Sequence, residues 1–153
     1  MKNEHQAPWD CVYAKEDKSH CKPGKRPRSN QKYFEILCLC LLQAGLSWSS
    51  IRKHWQKYRE GFYSFNIRRL SNAQTGELLK DSRVIKNRKK VEAIIHNAKR
   101  FDKIVREYGS FSQFLKSLRP LRNEELIRFL IKRFKHIGSY SAEYFLHSIG
   151  YWK

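Results

Sequence analysis

At 153 residues the chain suits one domain with a core of its own, and 41% hydrophobic with 14% aromatic residues exclude a disordered tail. Against 14 Asp+Glu stand 32 Lys+Arg, a formal charge of +18; that self-repulsion suits a chain that works against a polyanion, with nucleic acid ahead of a membrane surface. No run of about 18 apolar residues could span a bilayer, and residues 1–10 hold no apolar stretch of the secretory kind.

Residues 1–29 differ from the rest. They hold Pro8, Pro23 and Pro27, three of the four prolines, among Lys15, Lys18, Lys22, Lys25, Arg26 and Arg28, and read as an irregular basic arm. Trp9 and Tyr13 are too apolar for a free tail, so part of the arm is expected to fold back. Residues 30–153 read as a single helical domain. In the first helix Tyr33, Phe34, Leu37, Cys38 and Leu41 follow three-and-four spacing to about Gln43, where Gly45 ends it. Ser47 caps a second helix, Trp48 to Tyr58, with Trp48, Ile51 and Trp55 on one face. Short helices follow Asn66 and span about Thr75 to Leu79. The longest, Asn87 to Tyr108, keeps Val91, Ile94, Ile95, Ala98, Phe101 and Val105 in register. Ser110 opens a short helix to Leu118, Pro120 separates it from the next, and Asn123 with Glu124 and Glu125 starts a helix to Arg133. The last is expected from about Ser141 to Gly150. Alternation of period two never persists, so the fold class is all-α, an orthogonal bundle of seven or eight short helices.

The final two helices meet at Phe134-Lys135-His136-Ile137-Gly138-Ser139-Tyr140-Ser141-Ala142. A glycine turn opening onto a Ser-Ala helix start describes a helix-hairpin-helix, in which backbone N–H groups and a helix N-terminus face a DNA phosphate; an ordinary helix pair joined by a glycine turn fits the same residues. Lys132, Arg133 and Lys135 beside it favour the phosphate. A second motif is Gln43-Ala44-Gly45-Leu46-Ser47-Trp48. Its Leu46, on a short turn after glycine, is either a wedge that enters a base stack where a nucleotide has been extruded, or a side chain tucked back onto the core. Trp48 opens a helix beside that turn, where its ring could stack on a base. Trp55, Phe101, Phe129 and Phe145 read as core.

The cysteines, Cys11, Cys21, Cys38 and Cys40, lack the even spacing of a disulfide frame, which points to a reducing, intracellular compartment (cytoplasm or nucleoid). Cys38 and Cys40 are two apart on a helix and point to different faces. Cys11, His20 and Cys21 offer three zinc ligands where four are usual, so no metal and no cofactor are expected. The chain holds no Ser-His-Asp order, glycine-rich phosphate loop or carboxylate pair in an apolar setting.

With wedge and hairpin placed, the sequence resembles the DNA-3-methyladenine glycosylase I family. The likeness runs over about residues 33–101 and returns over about 129–151. It is carried by Tyr33-Phe34-Glu35, Gln43-Ala44-Gly45-Leu46-Ser47-Trp48, Tyr58-Arg59 with Phe62 and Phe65, Val84-Ile85-Lys86-Asn87-Arg88 with Lys90, Ala93-Ile94-Ile95, Asn97-Ala98, and Phe134-Lys135-His136-Ile137-Gly138. The resemblance implies a monomeric helical glycosylase that hydrolyses the N-glycosidic bond of alkylated purines, chiefly 3-methyladenine, in double-stranded DNA. Gly45 and Leu46 would be the wedge, and Trp48 part of the base pocket with Tyr13 and Trp9. Lys135, His136, Gly138, Ser139 and Tyr140 would hold a phosphate. Where the wider superfamily has a Schiff-base lysine, two residues past the turn glycine, Tyr140 stands, so lyase chemistry is not expected.

The sequence departs from the family in three places. The pocket glutamate that reads the lesion falls on Cys40, and a thiol is a weak donor and poor acceptor. The N-terminal aromatic run survives only as Trp9 and Tyr13. Lys153 ends the sequence before the C-terminal ligands of the family's zinc clip, so no such site is expected. A cationic N3-alkylated purine is already a good leaving group, which aromatic surfaces can hold without a strong acid. The alternative is a catalytically impaired DNA-binding descendant; a basic RNA-binding protein would explain the charge but not the wedge.

Overall fold

The computed structural model describes residues 26–151, with the backbone alone at Trp48. It is all-α: eight α-helices and, among the described residues, no strand. None of these helices is long and apolar enough to cross a membrane. The arm expected at 1–29 lies almost wholly outside the described residues.

Helix α1 (Asn30–Gln43) starts where the Ser29 hydroxyl accepts from Lys32 N–H at 3.1 Å. The spacing suggested a one-sided helix. Instead every residue from Tyr33 to Gln43 is buried, because α2, α5, α6 and α8 all pack around it. Cys38 and Cys40 therefore point to different faces and are both enclosed. Glu35 escapes an unpaired burial through Lys32 at 3.3 Å and Arg59 of α2 at 3.8 Å.

Helix α2 (Trp48–Gly61) is capped by Ser47, whose hydroxyl accepts from Ser50 N–H at 3.1 Å. It runs three residues past the expected Tyr58 to Gly61, where a Cβ would sit 2.8 Å from Val84 Cγ2. Then Tyr63, Ser64 and Phe65 all adopt left-handed backbone, with φ of 57°, 54° and 56°. Such residues cost about 1–2 kcal/mol each. Packing offsets this: the Phe65 ring stacks on Trp55 at 5.2 Å and on Phe62 at 5.5 Å, and Gln31 donates to Ser64 O at 3.0 Å.

Helix α3 (Ile67–Ser71) is capped by Asn66, and α4 (Thr75–Lys80) ends one residue past the expected Leu79. Asn87 caps the spine of the fold, α5 (Arg88–Tyr108), accepting from Lys90 N–H at 3.1 Å; Gly109, at φ 90°, stops it. Helix α5 packs on α1, α3, α4 and α6. Ser110 caps α6 (Phe111–Ser117), and α7 spans Asn123–Arg133. The cap of α7 is Arg122 rather than Asn123: its N–H donates to Glu125 Oε1 at 3.1 Å, tying off the first turn. Helix α8 (Ser139–Ser148) begins two residues before the expected Ser141, because Gly138 is its cap.

Rings from four helices fill the centre. Phe101 of α5 stacks on Phe111 of α6 at 4.3 Å, meets Phe34 of α1 edge-on at 5.3 Å, and Phe111 meets Phe145 of α8 at 6.1 Å. Each fully buried ring contributes about 1.5–3 kcal/mol. Phe129, read as core, is only half-buried and carries the Arg133 guanidinium 4.3 Å over its face.

Candidate nucleic-acid interface

The α1–α2 turn and the α7–α8 hairpin stand on one face, on either side of an open groove of about 900 Å³. Ala44 and Gly45 line it from the turn, His96 and Arg100 from α5, and residues 131–141 from α7, the hairpin and α8. His96, Arg100, Lys132, Arg133, Lys135 and His136 make the lining basic, and among the described residues no acidic side chain joins it. Of the four exposed large hydrophobics among the described residues, Ile131 and Tyr140 line this groove and Leu46 adjoins its Gly45. A surface that gathers cations and exposed apolar groups together matches a phosphate backbone with bases beside it.

The turn is built to present Leu46. Gln43 closes it from both sides: its carbonyl oxygen accepts from Leu46 N–H at 2.7 Å, and its side-chain amide donates to Leu46 O at 2.7 Å. Gly45 takes the left-handed φ of 79° that the reversal requires. Leu46 is 38% exposed, which removes it from the core. The turn is also fastened from below by Lys90, only 4% exposed. Its ammonium donates to Leu42 O at 2.6 Å and Ala44 O at 2.7 Å. Desolvation lowers the Lys90 pKa.

In the hairpin, Phe134 and Ile137 face the core while Lys135 and His136 are exposed. Asn97 of α5 holds the Lys135 backbone on both sides, accepting from its N–H at 2.8 Å and donating to its carbonyl at 3.0 Å. By sequence, the turn's conformational demand falls on Gly138. The structure moves it to His136, at φ 61°; Gly138, at φ −96° and ψ −172°, is ordinary extended backbone. A Cβ on Gly138 would meet nothing within 4 Å. What the glycine provides is an open helix start. No side chain caps α8, no acid occupies its first turn, and Ser139 and Tyr140 sit exposed beside those N–H groups, an arrangement that receives an anion. Tyr140 is 43% exposed, with its ring 4.7 Å from Tyr144.

Two imidazoles flank the groove with lowered pKa values. For His136 burial comes first, then the charges of Lys90 and Lys89; for His96 burial, then Lys135, Arg100 and Lys99.

Cys40 lies under this face at 0% exposure. Burial pushes its thiol far above the ordinary range, so it stays protonated. Ser141 of α8 donates to its backbone carbonyl at 3.4 Å. Of the expected base pocket, Trp9 and Tyr13 lie outside the described residues, and Trp48 is placed only as the first residue of α2. Cys11, His20 and Cys21 also lie outside them, and no group of three or more potential metal ligands occurs among the described residues. Lys90, Asn97, His96, Arg100 and Ile131 carry no role that the sequence alone assigns. For Lys90 and Asn97 the signal was present: with Ile94 and Phe101 they fall at i, i+4, i+7 and i+11 on the buried stripe of α5.

An all-helical domain with an uncapped hairpin helix and a closed turn on one basic face has the layout of a helix-hairpin-helix domain, whose open helix start suits an anion. The chain belongs to the methyladenine glycosylase family, whose model matches residues 15–150. It is 34% identical over 107 residues to the DNA-3-methyladenine glycosylase of Haemophilus influenzae, a match covering 66% of this chain and 58% of that protein. With the DNA-3-methyladenine glycosylase 1 of Escherichia coli it shares 32% identity over 95 residues, 60% of this chain and 51% of that one. The matches thus span little more than half the length of these relatives. Among solved structures, 3-methyladenine DNA glycosylase I from Staphylococcus aureus superposes with a TM-score of 0.75 at 26% identity, covering 97% of this chain and 88% of that one. Another 3-methyladenine DNA glycosylase I gives 0.74 at 26%, covering 98% and 92%.

Proposed function

We propose that the protein is a base-excision repair glycosylase that hydrolyses the N-glycosidic bond of alkylated purines, chiefly 3-methyladenine, in double-stranded DNA. The observation that carries this reading is the shared groove: Leu46 beside one wall and the open start of α8 on the other. Lys135, His136, Gly138, Ser139 and Tyr140 hold a phosphate of the lesion strand. Gly45 and Leu46 fill the gap left by the extruded nucleotide, and Trp48, with Trp9 and Tyr13, receives the base. The leaving group is a cationic purine, so aromatic faces that favour positive charge and water that attacks the sugar suffice for a slow reaction. Tyr140 offers a phenol and no amine, so the reaction ends at base release without strand cleavage. The likeness to DNA-3-methyladenine glycosylases, and the recognition of 3-methyladenine by the Staphylococcus aureus enzyme, support this substrate.

A second reading has its own observation. Cys40, at the position of the family's base-reading glutamate, is sealed and un-ionised, which favours a descendant that binds DNA and no longer excises. The test is release of methylated purine from alkylated duplex DNA. Release above the spontaneous rate supports the glycosylase; tight lesion binding without release supports the descendant.

A further inference from the structure

Helix α1 leaves its last carbonyls without helical partners, and no basic residue of its own stands in its last turn. The missing donor comes from elsewhere in the chain. Lys90 reaches the carbonyls of Leu42 and Ala44 at 2.6 and 2.7 Å, which are the last turn of α1 and the residue before Gly45. A buried ammonium is expensive unless hydrogen-bonded, and at a position that only filled space an apolar side chain would avoid that cost. Seven residues on, Asn97 grips the Lys135 backbone at 2.8 and 3.0 Å. Seven residues are nearly two turns, so the two anchors share one face of α5 about 10.5 Å apart.

We propose that Lys90 is a positioning residue for the wedge, and that Lys90 and Asn97 together make α5 a ruler fixing the distance between the Leu46 tip and the phosphate-holding hairpin. The proposal rests on the wedge-and-hairpin reading given above. Neither residue touches DNA. Lys90 acts through the Leu42 and Ala44 carbonyls on a turn that Gln43 has already closed, so the tip keeps its direction relative to the spine. The same ammonium lies near enough to His136 to help lower its pKa.

The experiment compares binding to a short duplex carrying a tetrahydrofuran abasic analogue with binding to the same duplex intact. The proteins are the wild type, Leu46→Ala, Lys90→Met, Asn97→Leu and Leu46→Ala with Lys90→Met, each checked for folding by thermal melting. Lys90→Met is expected to lower the preference for the abasic duplex about tenfold, the ratio one charge-assisted hydrogen bond is worth. Binding to intact duplex should stay within about twofold, and adding Leu46→Ala should lose nothing more. Asn97→Leu should weaken both duplexes alike. A folded Lys90→Met that keeps the preference, while Leu46→Ala loses it, overturns the positioning role and leaves the wedge standing. A Leu46→Ala that keeps the preference sinks the wedge reading itself. Should Lys90→Met not fold, Lys90→Gln, which keeps a donor, is expected to lose part of the preference, and full retention overturns the proposal. In the wild type, the Lys90 ammonium protons should exchange slowly by NMR, free and bound to abasic duplex; fast exchange in either state also overturns it.

Discussion

The Ser141 hydroxyl donates to the backbone carbonyl of Cys40 across 3.4 Å. The first turn of α8, which opens onto the groove, therefore rests directly on the turn of α1 that carries the sealed thiol. The hairpin helix is thus tied to the backbone at Cys40 as well as through the wider packing of α8 on α1. Binding and base removal can still be separated by choosing residues on the groove's rim.

Salt dependence reports how much of the +18 charge faces DNA. Each phosphate contact contributes a log–log slope of about −0.9. With Arg100, Lys132, Arg133 and Lys135 lining the groove and Lys89 and Lys99 close to its two imidazoles, the slope for duplex binding is expected at about −4 to −7. Fluorescence anisotropy between about 50 and 300 mM salt measures it. A slope shallower than about −2 would put most of the charge away from the nucleic acid.

Gly138 separates stability from binding. Its backbone is open to any residue and a Cβ there would meet no protein atom within 4 Å, so Gly138→Ala should leave the melting temperature within about 2 °C. A phosphate seated on the α8 start would meet that methyl group. Binding to all duplexes should fall alike, by about tenfold, because a phosphate contact carries no sequence information. Unchanged binding by the folded variant would remove the phosphate from this helix start.

Leu46, exposed at the tip of its turn, should matter to a gap and not to the core. Leu46→Ala is expected to lose the preference for abasic over intact duplex while costing well under the roughly 2–5 kcal/mol of a buried Leu→Ala. A loss of stability within that range would return Leu46 to the core.

The helices were legible because polar caps and apolar stripes carry local signals: Ser47, Asn87 and Ser110 each stand where a helix begins. The all-round burial of α1 was not, since it depends on four helices arriving from elsewhere in the chain. Nor was the hairpin's left-handed residue, because positive φ is uncommon outside glycine and the glycine two residues on draws the eye, although His is among the types that tolerate it best. Lys90 stands in the family-like string with no role attached, although its register on α5 places it among Ile94, Asn97 and Phe101. Charge counts cannot tell a lysine that meets phosphate from one that holds up a turn.

His136 and His96 predict two opposite trends with pH. Burial and neighbouring cations hold both below the ordinary imidazole value. The folded pKa therefore lies below the unfolded value of about 6.5. The unfolded chain binds more protons as pH falls through that value, and the free protein loses stability toward about pH 5.5. A phosphate in the groove offsets the cations and raises both pKa values, so DNA binding should take up protons and tighten from about pH 7.5 to about 6. Titration calorimetry in buffers of different ionisation heat measures the uptake. Proton release on binding, or an affinity flat across that range, would place the imidazoles outside the contact.

Cys40 decides between excision and binding alone. It is fully enclosed, and burial keeps the thiol protonated, so it neither accepts from a base nor attacks one. Cys40→Ala should then leave any release of 3-methyladenine within about twofold and cost about 1 kcal/mol for the small void. Cys40→Glu introduces the acceptor that the proposed reading assigns to this position. It also places a carboxylate where desolvation opposes ionisation, so the free variant should melt lower than wild type. A lesion base is cationic, and its charge would meet that carboxylate, so the variant should recover stability on binding and release methylated purine faster than wild type. The assay is release from alkylated duplex by all three proteins after their folding is checked. No release by any of them would defeat the glycosylase reading and leave a DNA-binding descendant. Release by Cys40→Glu alone would mark a lost activity that one residue recovers. Strong wild-type release abolished by Cys40→Ala would show that the thiol, despite its burial, is exposed to the base once DNA opens the pocket.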